Sequence, residues 1–282
     1  MVDFPHPDRM RPLRRAFVMR RVALTLMVAA TLGIACARAP YTQRSQLILV
    51  SESEAAQLGA QAFQQVLADS RVVRDPRFTA PVRDVGRRLA AVTNRQDYDW
   101  DFAVIDEPES QNAFALPGGK AAVFTGMFPI AQDTAGLAVV MGHEIAHVIA
   151  RHGSERMSQG LAAQLGGAAL GAAMSDGAAA TAVMAAYGLG TQVGVLLPYG
   201  RTQETEADAI GLILMAEAGY DPRNALEFWE RMAARDQGQP PEFLSTHPSP
   251  SSRIESVRQA LPDALARFNS SRPAPVERLP SP

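Results

Sequence analysis

Cysteine is all but missing. Cys36 stands alone in the 282 residues, so the chain can form no internal disulfide. Lysine is equally scarce, with Lys120 the single one among 27 basic side chains, a bias of a GC-rich genome that carries no mechanism. No repeat period is visible. No uninterrupted apolar run reaches the length of a membrane span: Val22 to Ala35 is too short, and the Ala- and Gly-rich stretch from Gly160 to Leu197 is broken at Asp176-Gly177. Without the residues before Cys36 the chain keeps 21 basic and 27 acidic side chains, a net charge of −6. That balance opposes a nucleic-acid role, which calls for a basic face. Histidine numbers only five, so every candidate metal ligand can be weighed singly.

What is present begins with a targeting signal. Arg20-Arg21 precedes the Val22 to Ala35 run, which has the length of a secretory signal core, and residues before Met19 read as an upstream start-site extension or a long leader. Gly33-Ile34-Ala35-Cys36 resembles a bacterial lipobox, although Gly33 stands where Leu is preferred. A lone cysteine directly after an exported apolar run is better explained by lipidation than by a disulfide. The expected division is a signal peptide over 1–35, a lipidated linker over 36–50, a catalytic-type domain over 51–268 and a disordered Pro- and Ser-rich tail over 269–282. Ala37 replaces the Asp that retains lipoproteins at the inner membrane, which for a Gram-negative host points to the periplasmic face of the outer membrane.

The stretch His143-Glu144-Ile145-Ala146-His147 puts two imidazoles one helical turn apart, on one face, with a carboxylate after the first. Both rings can reach one metal ion, and Glu144, turned about 100° away, can hold the attacking water. Leu137 to Met141 and Val148 to Ala150 flank the motif with apolar residues, Asp133 or Thr134 can cap the helix, and Gly153 can close it. His152 is nine positions after His143, which on a continuous helix faces the other way; it reads as a cap or charge partner and not as a ligand.

Zinc in a catalytic site takes three protein ligands and leaves one position open. The stretch from Arg201 to Gly211 offers candidates: Ala207, Ile210, Leu214 and Ala218 form an apolar stripe, and Glu204 and Asp208 share its edge. If Glu204 binds the metal, Asp208 one turn on can accept the free ring N–H of a ligating histidine. Glu206 falls on the outer side and is expected in solvent. An ordinary acidic helix face is the plain alternative.

Together, HEIAHVIARH and ETEADAIG resemble the zinc metallopeptidase family, numbered forty-eight, that includes the CAAX prenyl protease, the HtpX membrane protease and the periplasmic BepA- and LoiP-like proteases. Asn112 to Lys120 with Ala121 to Gly126, and Thr246-His247-Pro248 with Arg253, are similar to further segments of that family, and the likeness runs from about Tyr41 to Leu261. It implies an α+β, mainly helical zincin-like (gluzincin) domain with a small β-sheet beside the HExxH helix. It also implies one Zn2+ held by His143, His147 and Glu204, with Glu144 catalytic.

Three segments carry further expectations. Ala113 to Leu116 and Ala121 to Thr125 around Pro117-Gly118-Gly119 read as a hairpin, and Asn112, Ala113, Phe114 and Ala115 are the expected substrate-binding edge, where an extended peptide can add as a strand. His247, held between prolines, can donate to the tetrahedral intermediate or occupy the open zinc position at rest, with Arg253 orienting it or binding a carboxylate; a surface turn competes with both. Gly160 to Leu197 reads as a helical hairpin near the site. Helices are expected from the Ser51-to-Glu54 capping box to Ala68, through Val82, Val85, Leu89 and Val92, from Asp221-Pro222 to Met232 and from Ser252 to Leu261, with a strand from Tyr98 to Asp106.

The functional expectation is a lipid-anchored, zinc-dependent endopeptidase. Its partners would be unfolded or misassembled envelope proteins, the membrane through its anchor, and no nucleic acid. The alternative is a chaperone or assembly factor with a mainly structural zinc site.

Overall fold

The computed structural model of the chain describes residues 36–173, 197–234 and 250–281. It is a mainly helical α+β fold around one buried helix. After a short hairpin of β1 (Cys36–Arg38) and β2 (Ser45–Leu47), α1 (Glu52–Asp69) starts at Ser51, whose side chain accepts the Glu54 amide as the capping box predicts. The second helix, α2 (Pro76–Ala91), is capped by Asp75 and buries Val82, Val85 and Leu89, the stripe that announced it.

The sheet has three strands in the order β3 (Asp101–Ile105), β5 (Lys120–Phe124), β4 (Ala113–Leu116). β5 runs parallel to β3 and antiparallel to β4, with Ala113 opposite Val123 and Leu116 opposite Lys120. Gly118 and Gly119, at φ 86° and 91°, make the turn between β4 and β5; side chains rarely adopt those angles. β4 is left as the sheet edge and packs beside the buried helix.

That helix, α4 (Thr134–Ile149), follows a 3-10 turn and the short α3 (Phe128–Ala131), and every one of its residues is buried. Asp133 caps it, its Oδ1 accepting from the amides of Ala135 at 3.0 Å and Gly136 at 2.9 Å. Its C-terminus differs from expectation. The helix stops at Ile149, and Arg151, at φ 59°, turns the chain; Gly153 already lies in the first turn of α5 (His152–Ala173).

Three more helices complete the layer: α6 (Leu197–Glu217), α7 (Asn224–Ala234) and α8 (Pro250–Ser270). α7 begins later than Asp221-Pro222 suggested, because the Asp221 carboxylate first accepts the Arg223 amide at 2.9 Å and closes a turn. α6 lies against α4 at a contact of two glycines. A Cβ on Gly211 would stand 2.8 Å from the His143 nitrogen, and one on Gly142 would stand 3.0 Å from the Gly211 oxygen. Only residues without side chains let the two backbones meet there.

One terminal expectation is corrected. The tail from Asn269 is ordered: α8 continues to Ser270, and the extended chain after it lies along the start of α4. The Thr134 amide donates to the Glu277 carbonyl at 2.9 Å, the Leu279 amide to Gln132 at 2.9 Å and the Ala274 amide to Gly219 at 2.8 Å. Composition signals disorder only when a segment finds no partner, and here helix and turn backbone supply partners. The segment 36–50 carries the β1–β2 hairpin, and its buried Gln46 donates to the Ala150 carbonyl at the end of α4 at 2.7 Å. Among the described residues no helix is long and apolar enough to cross a membrane. Most of the segment from Gly160 to Leu197 expected as a hairpin lies outside the described residues; its first part continues α5.

Candidate metal centre

Because the motif lies within the uninterrupted helix α4, His143 and His147 project from the same face, their rings edge to face with centroids 4.6 Å apart. The Gly142–Gly211 contact brings α6 close enough for Glu204 to meet them. His143 Nε2 and His147 Nε2 are 3.0 Å apart; His143 Nε2 is 3.3 Å from Glu204 Oε2, and His147 Nε2 is 3.3 Å from Glu204 Oε1. All three side chains are buried, and they form a group able to hold a metal ion. Tetrahedral zinc with bonds of about 2.0–2.1 Å sets its ligand atoms about 3.3 Å apart, so spacing and the N, N, O donor set both fit zinc.

The atoms behind this triangle hold it in shape. Asp208, one turn after Glu204, places Oδ1 3.1 Å from His143 Nδ1. Arg253 Nη2 lies 2.6 Å from the same nitrogen, but guanidinium only donates and cannot share a proton with an N–H. With Nε2 turned to the metal position, Nδ1 carries the proton, so the bond that forms is His143 to Asp208. Arg253 belongs to the carboxylates: its Nε is 3.0 Å from both Asp208 oxygens and its Nη1 is 3.3 Å from Glu204 Oε2. It also stacks over the Trp229 ring at 4.0 Å. Burial works against a charged Asp208, yet Arg253 and His143 hold it below its ordinary value. Burial also pushes the His147 imidazole well down, toward the neutral form that a metal needs.

Glu144 is buried beside His143 on α4. Asn112, Ala113, Phe114 and Ala115 lie at and along the edge strand β4, where the Asn112 carbonyl accepts the Phe124 amide at 3.1 Å. A small cavity of about 80 Å³ between Ala115, Leu116 and Pro117 on one side and His147 on the other opens next to that strand. His247 lies outside the described residues, and so does the Thr246-His247-Pro248 segment.

Two expectations fail here, for linked reasons. His152 is a charge partner and lies outside the candidate ligand group, as expected, but it does not face away. The left-handed turn at Arg151 ends α4 and swings His152 back, so that its Nδ1 lies 2.9 Å from His147 Nδ1. Nor is Glu206 in solvent: it is buried, with Oε2 3.0 Å from His152 Nε2 and 2.7 Å from Arg44 Nε, and it also accepts the Thr42 hydroxyl. Burial would raise its pKa, but the bonds from His152, Thr42 and Arg44 bring it down to about 2. Arg44 further grips Glu155 at 2.7 and 2.6 Å. The outer side of α6 is covered by α5 and the N-terminal hairpin, which a helical projection of α6 alone does not reveal. The one local signal was Arg151-His152-Gly153, a place where a helix can break.

The sequence of the chain is similar to those of known proteins. The model of the family described as Peptidase family M48 matches residues 76–261. The chain is 35% identical over 237 residues to the mitochondrial metalloendopeptidase OMA1 of Schizosaccharomyces pombe, covering 82% of this chain and 68% of that protein. It is 32% identical over 272 residues to the beta-barrel assembly-enhancing protease of Escherichia coli, covering 92% of this chain and 54% of that one. A zebrafish (Danio rerio) OMA1 is 35% identical, and the chain spans 50% of its length. The chain thus spans about half to two thirds of the length of these relatives. The matched region contains α2, the sheet, α4 with its histidines, and Glu204, Asp208 and Arg253, and on that agreement of sequence with geometry the chain belongs to peptidase family M48.

Proposed function

We propose that the chain is a zinc-dependent endopeptidase in which His143, His147 and Glu204 hold the metal. The observation that carries this is the convergence of two imidazole nitrogens and one carboxylate, all buried, at distances zinc requires. When bound, zinc supplies a Lewis acid and lowers the pKa of water toward neutrality. Glu144 takes the proton of the attacking water and delivers it to the leaving amine nitrogen. Asp208 keeps His143 in the tautomer that presents Nε2, and Arg253 holds Asp208 and Glu204 in place. The β4 edge, with Asn112 to Ala115, accepts an extended peptide through main-chain hydrogen bonds, which favours unfolded substrate with little sequence preference. His247 is proposed as a donor to the intermediate or as an occupant of the open metal position at rest.

The finer reading is an envelope protease, lipid-anchored through Cys36 at the periplasmic face of the outer membrane and acting on misfolded or misassembled proteins. It is supported by the lipobox-like segment and by the Escherichia coli relative, which is named for beta-barrel assembly and aligns with most of the chain. Other relatives are named as mitochondrial, so compartment is the first thing that lipid labelling of the Cys36→Ser variant should decide.

The test of the activity is digestion of an unfolded protein such as casein by purified protein of known zinc content. The unmodified protein is expected to yield fragments. Glu144→Gln should bind zinc and yield none, and Glu204→Ala should lose most of its zinc. Equal cleavage by Glu144→Gln would remove Glu144 from the mechanism, and zinc binding without cleavage by the unmodified protein would favour the assembly-factor alternative.

A further inference from the structure

We infer that His152 and Glu206 are positioning residues for the zinc ligand His147, and that the N-terminal hairpin completes their support through Thr42 and Arg44. The inference rests on the proposed metal site, in which His147 turns Nε2 to zinc. Its Nδ1 then carries the proton. The group 2.9 Å from that nitrogen is His152 Nδ1, so His152 must accept there, and its own proton sits on Nε2, 3.0 Å from Glu206 Oε2. Only one assignment of ring protons satisfies both bonds: His147 donates to His152, and His152 donates to Glu206. The chain ends on charge, because Glu206 accepts from Arg44 at 2.7 Å and from the Thr42 hydroxyl.

The two histidine ligands are therefore oriented by different means. His143 donates directly to Asp208, whereas His147 reaches its carboxylate through an intervening imidazole. His152 is 0% exposed and Glu206 is 5% exposed, so neither bond competes with bulk water. Arg44 lies between β1 and β2 and grips Glu155 on α5 as well as Glu206 on α6. The residues that follow the proposed lipidation site are by this route part of the structure that holds the metal.

The test is zinc affinity measured by competition with a chromophoric chelator, together with the visible spectrum of the cobalt-substituted protein and the rise in thermal midpoint that zinc produces. His152→Leu keeps the volume and removes both bonds; zinc affinity should fall about 10–100-fold, as for loss of other groups that orient a ligand. His152→Gln, whose amide can accept on one side and donate on the other, should recover part of that loss. Glu206→Gln and Arg44→Ala should weaken zinc binding in the same direction with smaller effect, and the cobalt bands should shift in each variant. A purely structural role lowers the midpoints of metal-free and zinc-loaded protein equally, while a positioning role shrinks the difference between them. Parent-like zinc affinity and cobalt spectrum in folded His152→Leu overturn the inference; if that variant does not fold, parent-like values in Glu206→Gln overturn it. His147→Ala separates the two levels: retention of zinc there refutes the metal site itself, whereas zinc loss there beside parent-like His152 and Glu206 variants refutes only this inference.

Discussion

At the scale of single residues the centre is backed by buried and half-buried charges that pair with one another. Arg253, 2% exposed, faces Asp208 and Glu204 and covers Trp229; Arg44 joins Glu155 and Glu206. Removing one member leaves the others uncompensated, which costs more than an exposed pair is worth. The direction of the pH effect follows from Glu206, whose pKa falls from 4.5 to about 2 on folding. A carboxylate depressed in the folded state adds stability above its unfolded pKa and loses it as pH falls through the folded value. Asp208 and Glu155 are shifted the same way. Stability of the metal-free protein should therefore decline between about pH 4.5 and pH 2, and Glu206→Gln should flatten that part of the curve. Denaturant titrations across this range check it, and an unchanged slope in the variant would show that Glu206 is not among the groups responsible.

Elements meet at the centre through backbone contact as much as through side chains. α4 supplies two candidate ligands and α6 the third, and their separation is set where Gly142 faces Gly211. The atoms a new Cβ at Gly211 would meet, the His143 nitrogen and the Gly142 carbonyl carbon at 2.8 and 2.9 Å, belong to a buried helix backbone and cannot swing aside. Gly211→Ala should thus cost about 1–3 kcal/mol by overpacking. It should also weaken zinc binding, since pushing α6 outward draws Glu204 from the histidines. Thermal unfolding and chelator competition on the same sample test both, and full zinc affinity would show that the helices yield elsewhere.

For the molecule as a whole, both flanks of the domain close on its centre. The N-terminal hairpin reaches the end of α4 through Gln46 and the back of the site through Arg44. The C-terminal segment pairs with the start of α4 through Thr134, Gln132 and Glu277 and with the α6–α7 connection through Gly219. Removing residues 271–282 takes away the three main-chain bonds made by Ala274, Glu277 and Leu279. At a net of about 0.5–1.5 kcal/mol for each bond, the loss should be roughly 1.5–4.5 kcal/mol in a denaturant titration of the truncated chain. A change within about 0.5 kcal/mol would mean that this segment contributes no more than an ordinary surface tail.

The sequence by itself determined what short-range geometry determines. His143 and His147 share a face because residues four apart do so on any α-helix, and Ser51 and Asp133 stand at helix starts because their side chains accept the amides a helix leaves unpaired. The apolar stripe of α2 and the Pro117-Gly118-Gly119 turn follow from equally local rules. Tertiary structure decided the rest. Glu206 looks solvent-facing on a projection of α6 until α5 and the hairpin cover it, and His152 looks opposed to the metal until Arg151 ends the helix before it. The tail looks disordered by composition until its backbone finds the orphan amide of Thr134. Periodicity reports which way a side chain leaves its own element. What waits on the other side, water or another segment, depends on where the chain reverses and which surfaces then meet, and no local pattern encodes that.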